Sequence, residues 1–383
     1  MHPLAMKVKE RIRTIIEGRD AGKWPNTSKI LYGVSRMYGK FSQMRYLLYD
    51  RGHLRRHRLS CRVISVGNLT VGGTGKTPMT IYMARYLQGI GYRVVVLSRG
   101  YGGRAQSRGA VVSDGQRIYL DPDRAGDEAF MMAAKLIGIP VLVGKDRYRS
   151  GLKAIQEFQA EVIILDDGYQ HLRVRRDLNL LLLDARSPFG NGNLLPRGPM
   201  RAPISSSNQA DAIIFTRCPS EKQISMSVKE VDMPSKAFFT RHKPVVYKAA
   251  APNGAKTSGC SLRLAPLETS AMVGAKVLAF SGIAKNLDFR KSLISLGVQI
   301  IEFLEYHDHY RYTDGDLVEF ERRSRNKGAE WLATTEKDFY RICHRLDSTI
   351  RLIVVGVDIE FIPNPDDFNE FVHHACHDLN KRI

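Results

Sequence analysis

Residues 63 to 77 read VISVGNLTVGGTGKT: an apolar β-branched run, a glycine-rich turn, then Lys76 and Thr77 at the head of an amphipathic stretch. A buried strand that turns through glycines into a helix aims converging backbone N–H groups at one point, which makes an anion site. In such a loop the lysine reaches the β and γ phosphates of a nucleotide and the threonine hydroxyl ligates Mg2+. Gly72, Gly73, Thr74, Gly75, Lys76 and Thr77 occupy these places. The strict phosphate-loop pattern has glycine where this chain has Thr70, so context carries the reading: the strand runs straight into the loop, and Met79, Tyr82, Met83, Tyr86 and Leu87 follow at helical spacing. The bland alternative is an ordinary glycine turn between a strand and a helix. The pattern favours a chain that handles ATP or GTP.

With 383 residues and 43% hydrophobic content the chain has enough material for two globular domains, each with its own core. Its five cysteines, Cys61, Cys218, Cys260, Cys343 and Cys376, are scattered without a CxxC pair or zinc spacing, and are expected as reduced cytosolic thiols. No signal peptide and no run of 18 apolar residues is present, so any membrane contact is expected to be peripheral.

The net charge of +19 is uneven: residues 1 to 58 hold 14 Lys or Arg against 4 Asp or Glu, and so +10. Within that stretch Ile30, Val34, Met37, Phe41, Met44 and Leu48 recur at spacings of four and three, which marks one apolar helical face. Arg36, Lys40 and Arg45 lie off the stripe, and Tyr32, Tyr38, Tyr46 and Tyr49 suit an interfacial belt. Two readings stay open from the helix alone: an in-plane membrane helix drawn to anionic lipid, or a helix packed on the core with a solvated basic flank. A nucleic-acid surface ranks below both, because no recognised DNA or RNA module accompanies the charge.

After the phosphate loop apolar runs alternate with helical stretches, the signature of a parallel sheet with helices on both faces: a P-loop NTPase-type α/β fold. The runs are Tyr92 to Leu97, Ile139 to Val143, Val162 to Leu165, Leu178 to Leu183 and Ala212 to Phe215. Ligands bind at the carboxyl ends of such strands, where motif residues belong. Asp166 and Asp167, in ILDDGYQH, follow one run and suit Mg2+ binding, or else cap the next helix. His171 there either orients a phosphate or bonds its own loop. Asp127 and Glu128, in RAGDEAF, precede a helix and read first as caps. Ser98 to Tyr101 follow the run Tyr92 to Leu97, where Arg99 can stabilise phosphate charge. The segment 184–203 is too rich in Gly, Pro and Asn for regular structure and reads as a functional loop.

Texture changes between residues 218 and 275, polar and small around one short strand candidate, Pro244 to Lys248. A second alternation follows at Val277 to Phe280, Val298 to Phe303, Trp331 to Thr334 and Leu352 to Val357. The expected organisation is a basic helical segment at 1–60, a P-loop domain at 61–240, which the resemblance given below makes a kinase domain, a linker region at 241–275 and a smaller carboxyl-terminal α/β domain at 276–383. In the last, YHDHYRYTDGD gathers His307, Asp308 and His309 without helical zinc spacing, and TTEKD at 334–338 reads as a nucleotide-facing loop or a cap.

The ordered set VGNLTVGGTGKTP, SRGYGG, AGDEAF, VGKDR, LDDGYQH, DARSPFGNGNLLPRGP, FSGIAKN, HDHYRYT and TTEKD resembles the tetraacyldisaccharide 4'-kinase family over about residues 30 to 360. That resemblance implies transfer of the γ-phosphate of ATP, with Mg2+, to the 4'-hydroxyl of tetraacyldisaccharide 1-phosphate, forming lipid IVA in lipid A biosynthesis. It also implies an amino-terminal helix on an anionic membrane surface at the cytoplasmic face of the bacterial inner membrane, and a carboxyl-terminal domain that closes over the kinase domain. No nucleic acid and no obligate protein partner enter this reading. By motif position it assigns Asp127 as general base with His309 as its partner, Lys76 to the transferred charge, Thr77 and Asp166 to Mg2+, and Asp167 to their support.

Two departures accompany the resemblance. Ala202 stands where the family pattern has an acidic residue after the arginine of GP-x-R, and the first 27 residues are extra, with Leu4, Val8, Ile12, Ile15 and Ile16 suggesting another short amphipathic helix. The rival from another class is a membrane-docked nucleotide switch of the MinD-like type, whose loop also carries GGxGKT. Such switches place a lysine just before the two glycines, where this chain has Val71.

Overall fold

A computed structural model describes residues 14–16, 24–218, 236–250, 263–346 and 351–377, which fall into two compact units. The first draws on residues 1–76, 162–241 and 360–383, and the second on 77–161 and 242–359. The chain passes back and forth between them, so the units interleave, whereas the sequence's changes of texture suggest four successive segments.

In the first unit β1 (Arg62–Asn68) lies between β5 (Val162–Asp166) and β6 (Leu178–Asp184), and β7 (Ala212–Thr216) lies beyond β6, all parallel. The opening residues of β8 (Lys236–Ala250) continue the sheet in parallel beside β7. These strands are buried over nearly their whole length, as continuous Val, Ile and Leu runs demand. Leu69, Tyr169, Leu181, Leu183, Ile213 and Phe215 form one core cluster here. Parallel strands bring their carboxyl ends to a single edge, so the loops at 69–75, 167–177 and 185–211 gather there.

Helix α1 (Pro25–Asp50) seats on this unit by its small residues. Ser35 and Gly39 are its buried positions; Ser35 Oγ donates to the Leu194 carbonyl at 2.8 Å and the Tyr38 hydroxyl to the Arg201 carbonyl at 2.8 Å. The predicted stripe is not core: Ile30 is 68% exposed, Phe41 65%, and Val34, Met37 and Met44 are exposed as well, with Leu48 half-buried. Tyr32 and Tyr38 are exposed, but Tyr46 is half-buried, so the belt is narrower than four tyrosines. Of the preceding apolar positions, Ile15 is fully buried and its carbonyl accepts from Arg197; Leu4, Val8 and Ile12 lie outside the described residues.

In the second unit α2 (Lys76–Gly89) continues from the glycine turn, β2 (Val94–Ser98) pairs in parallel with β4 (Val141–Val143), and α3 (Asp127–Lys135) and α4 (Arg147–Phe158) follow their loops. Strand β3 (Ala110–Ser113), absent from the sequence reading, runs antiparallel on β4. Its four residues are too few to show a period. A second parallel set orders β11 (Gln299–Glu305), β10 (Lys276–Ser281), β12 (Trp331–Thr335) and β13 (Leu352–Ile362). Helices α5 (Asn286–Ser295), α6 (Asp314–Asn326) and α7 (Glu336–Ile342) cover it.

The candidate Pro244 to Lys248 is the middle of the fifteen-residue β8, whose second half pairs antiparallel with β9 (Arg263–Leu267). The stretch read as a linker thus carries strand pairing on either side of 251–262, which lie outside the described residues. Cys61, Cys218 and Cys376 are free, but Cys343 is disulfide-bonded, which corrects the expectation of five reduced thiols.

Candidate active site

In the first unit the glycine turn after β1 is held at both ends. Gly72 and Gly75 have φ of +106° and +86°, conformations that a side chain resists. Asn68, the last residue of β1, donates from Nδ2 to Thr74 Oγ1 at 2.9 Å, and Thr216, the last of β7, donates from Oγ1 to the Thr74 carbonyl at 3.0 Å. Two strand ends therefore fix the loop before any ligand arrives.

Cations surround the turn. Lys76 Nζ donates to Asn68 Oδ1 at 3.3 Å and stands 3.6 Å from Asp167 Oδ1. Arg201 donates to both Asp167 oxygens at 2.9 Å and also to Asn68 Oδ1. Arg217, at φ +58°, bonds Asp184 at 2.8 Å, and a Cβ on Gly73 would lie 3.9 Å from its Nη2. Asp166 ends β5 and is buried, while Asp167 turns out of the strand at φ +51°. A fixed turn with three cations beside it suits a polyphosphate. Thr77 is buried in the first turn of α2, in the second unit. Thr77, Asp166 and Asp167 offer only oxygen donors, the kind Mg2+ takes. Among the described residues no three His, Cys, Asp or Glu gather as a metal cage, and Mg2+ shared with substrate phosphates needs none.

A separate polar cluster forms within the second unit. Asp127 opens α3 directly after Gly126, and its Oδ2 lies 3.0 Å from His309 Nδ1 and accepts from Arg341 Nε at 2.7 Å. His309 itself has φ +59°, a left-handed backbone held without glycine. Lys337 Nζ lies 3.3 Å from Glu128 Oε1, 3.4 Å from His309 Nε2 and 3.6 Å from Asp308 Oδ1. The exposed Tyr101 sets its ring 5.7 Å from the His309 ring, centroid to centroid. Burial alone would raise the Asp127 pKa, but the hydrogen bond from His309 and the charge and hydrogen bond of Arg341 outweigh it and hold the carboxyl below its ordinary value. Asp127 is therefore a carboxylate at neutral pH.

The acidic residues that follow His309 have another task. Thr313 and Asp316 make a reciprocal capping box at the start of α6, which orders the loop carrying His307 to His309. Arg341 did not stand out in the sequence. The one available signal was its place three residues after Asp338 in TTEKDFYR, one helical turn on.

A nucleotide-type glycine loop at the edge of a parallel sheet, together with a carboxylate kept charged by histidine and arginine, defines a P-loop phosphotransferase of the α/β class. The sequence profile of the Tetraacyldisaccharide-1-P 4'-kinase family matches residues 27–377. The tetraacyldisaccharide 4'-kinase of Syntrophus aciditrophicus is 42% identical over 339 residues, 87% of this chain and 89% of that protein. That of Desulfatibacillum aliphaticivorans is 38% identical over 365 residues, 94% of this chain and 97% of that one. The crystal structure of LpxK from Aquifex aeolicus in complex with ATP superposes with a TM-score of 0.71 at 28% identity, covering 92% of this chain and all of that one. This chain belongs to the tetraacyldisaccharide 4'-kinase family.

Proposed function

We propose that this kinase performs its family's reaction with Asp127 as general base: the γ-phosphate of ATP passes to the 4'-hydroxyl of tetraacyldisaccharide 1-phosphate, giving lipid IVA in lipid A biosynthesis. One observation carries the assignment: Asp127 and His309, 182 residues apart in sequence, meet at 3.0 Å. Helix capping, the other role for Asp127, requires no imidazole from a distant loop.

In this reading the carboxylate takes the proton of the acceptor hydroxyl, and His309 orients it through Nδ1–H. Its Nε2 is then the lone-pair nitrogen, which agrees with the Lys337 ammonium at 3.4 Å. The glycine turn binds phosphate oxygens, and Lys76 exchanges its contacts with Asn68 and Asp167 for the transferring group. Thr77 and Asp166, with Asp167 in support, would hold Mg2+, which would supply charge neutralisation on the phosphates. Arg201 holds Asp167 bidentately, which keeps that carboxylate in place.

The exposed stripe of α1, flanked by Arg36, Lys40 and Arg45, suits a peripheral seat on anionic lipid at the cytoplasmic membrane face. Full burial of a Val, Leu, Ile, Phe or Met side chain contributes about 1.5–3 kcal/mol, so a few of these residues suffice for reversible attachment. Among the described residues no helix is long and apolar enough to cross a membrane.

The test is transfer of labelled phosphate from ATP to tetraacyldisaccharide 1-phosphate in detergent with Mg2+. Wild type is expected to label the 4' position; Lys76→Ala and Asp127→Asn are each expected to lose about 10²–10⁴-fold in kcat. Wild-type turnover in Asp127→Asn would remove the base assignment and leave the kinase reading standing.

A further inference from the structure

The Asp127 carboxylate is engaged at one oxygen alone. His309 Nδ1 and Arg341 Nε both meet Oδ2, at 3.0 and 2.7 Å, and among the described residues nothing bonds Oδ1. A carboxylate at the head of a helix rotates about its Cα–Cβ and Cβ–Cγ bonds, and a single hydrogen bond leaves much of that freedom. Two donors on one oxygen, from two directions, remove it.

Arg341 is itself fixed. One Nη1 donates to the Gly282 carbonyl at 2.9 Å and to Asp338 Oδ1 at 2.7 Å, while its Nη2 passes 3.3 Å from His309 Nδ1. Asp338 has no exposed surface, and its other oxygen accepts from the Gly282 backbone N–H at 3.0 Å and from Thr335 Oγ1 at 2.7 Å. Thr335, which caps α7, and Asp338 and Arg341 within it follow at intervals of three, so this end of the helix lays a buried rail whose outer end is the guanidinium. The TTEKD motif thus supports the carboxylate from behind.

We infer that Arg341 is a positioning residue for the phosphoryl transfer, anchored by Asp338, which with His309 occupies Asp127 Oδ2 and presents Oδ1 alone to the acceptor hydroxyl. The inference rests on the reading of Asp127 as the base. A planar fork is needed for it: Nε serves Asp127 while Nη1 serves Asp338 and Gly282, a division that a lysine ammonium does not reproduce at the same spacing.

The acid limb of the kcat profile is the readout. His309 and Arg341 meet Asp127 directly, and the charged groups bonded among or next to them are Lys337 and Asp338 on α7, Asp308 on the loop before α6 and Glu128 on α3. A carboxylate base works above its folded pKa, and activity falls as pH drops through it. Without Arg341 the carboxylate loses a charge that lowers its pKa, so the limb moves to higher pH.

The experiment measures kcat and KM for ATP and for the lipid against pH in wild type, Arg341→Lys, Arg341→Met, Asp127→Asn and the double variant Asp127→Asn with Arg341→Met. Expected are a loss of about 10–100-fold in kcat for Arg341→Met, a smaller change in either KM, an upward shift of the acid limb, and partial restoration of both in Arg341→Lys. In the Asp127→Asn background the further loss is expected to shrink to about threefold or less. Acid unfolding of a destabilised variant would imitate the shift, so the folded fraction of each variant is measured by circular dichroism at every pH and the rates are referred to it.

An unmoved limb in Arg341→Met, or an equal loss in both backgrounds, with Asp127→Asn reduced by about 10²–10⁴-fold but measurable, overturns the positioning role alone. Wild-type turnover in Asp127→Asn overturns the base reading and the inference together, and the two failures are thereby distinguished.

Discussion

At the scale of single residues the site is set by charges that need one another. Asp127 remains ionised because His309 and Arg341 offset its burial, so its pKa lies below that of the unfolded chain. The sign follows: this group stabilises the fold fully above the unfolded carboxylate pKa, and the contribution is lost as pH falls through the folded value. Asp127→Asn is therefore expected to lose part of the wild type's dependence of stability on acid pH, checked by urea unfolding at stepped pH; superimposable pH dependences would contradict the ionised state. Gly356 illustrates a residue required by space alone. A Cβ there would sit 2.5 Å from Glu336 Oε2, a buried carboxylate bonded to Lys135 at 2.8 Å. Gly356→Ala is expected to destabilise by about 1–3 kcal/mol, seen as a lowered Tm with unchanged lipid KM. The loop residues Gly72 to Thr77 were legible in sequence because chemistry dictates both their types and their spacing. The joining of Asp127 to His309 was not, since 182 residues separate them and only family resemblance proposed it.

At the scale of elements, α3 and α7 of the second unit meet along one side. Phe130 meets Tyr340 edge-on at 5.9 Å between ring centroids, and Lys135 at the end of α3 bonds both oxygens of Glu336 at the start of α7, at 2.8 and 3.0 Å. Lys135 and Glu336 side chains are each 8% exposed, and burial raises the Glu336 pKa while Lys135 opposes the rise. Removing one partner leaves a buried charge, which costs about 3–5 kcal/mol, whereas replacing both by apolar residues of like volume costs far less. Lys135→Met is thus expected to lower Tm well below that of the Lys135→Met, Glu336→Leu pair, by differential scanning calorimetry. Equal losses would mean that leaving Glu336 without its lysine adds no cost beyond lost packing. Helical periodicity located α1 and the phosphate-loop helix. It had no purchase on α7, where seven residues bury Glu336, Asp338, Phe339, Tyr340 and Ile342 on more than one face. The four-residue β3 and the five-residue β9 escaped for a related reason, because neither is long enough to show a period.

For the whole molecule the distribution of charge matters more than its total. Of the net +19, +10 falls within residues 1–58, the stretch whose described helix also carries the exposed apolar stripe. Two forces then act on any association with a lipid surface, and salt separates them. Attraction of a basic residue to anionic lipid contributes about 1 kcal/mol close to the surface and fades within a Debye length, about 8 Å at physiological ionic strength. Insertion of the stripe depends on apolar area and is little affected by moderate salt. The triple variant Arg36→Gln, Lys40→Gln, Arg45→Gln is expected to bind vesicles containing anionic lipid about 100-fold more weakly at low ionic strength, and to converge on wild type as salt rises. Met37→Glu with Phe41→Glu, by contrast, is expected to lose binding at every salt concentration, because Met37 and Phe41 are 61% and 65% exposed and support no core. Cosedimentation across a salt series reads both. If the glutamate variant binds as wild type does, the stripe is not what meets the membrane; if the triple variant follows the wild-type salt curve throughout, the asymmetry of charge does not direct the association.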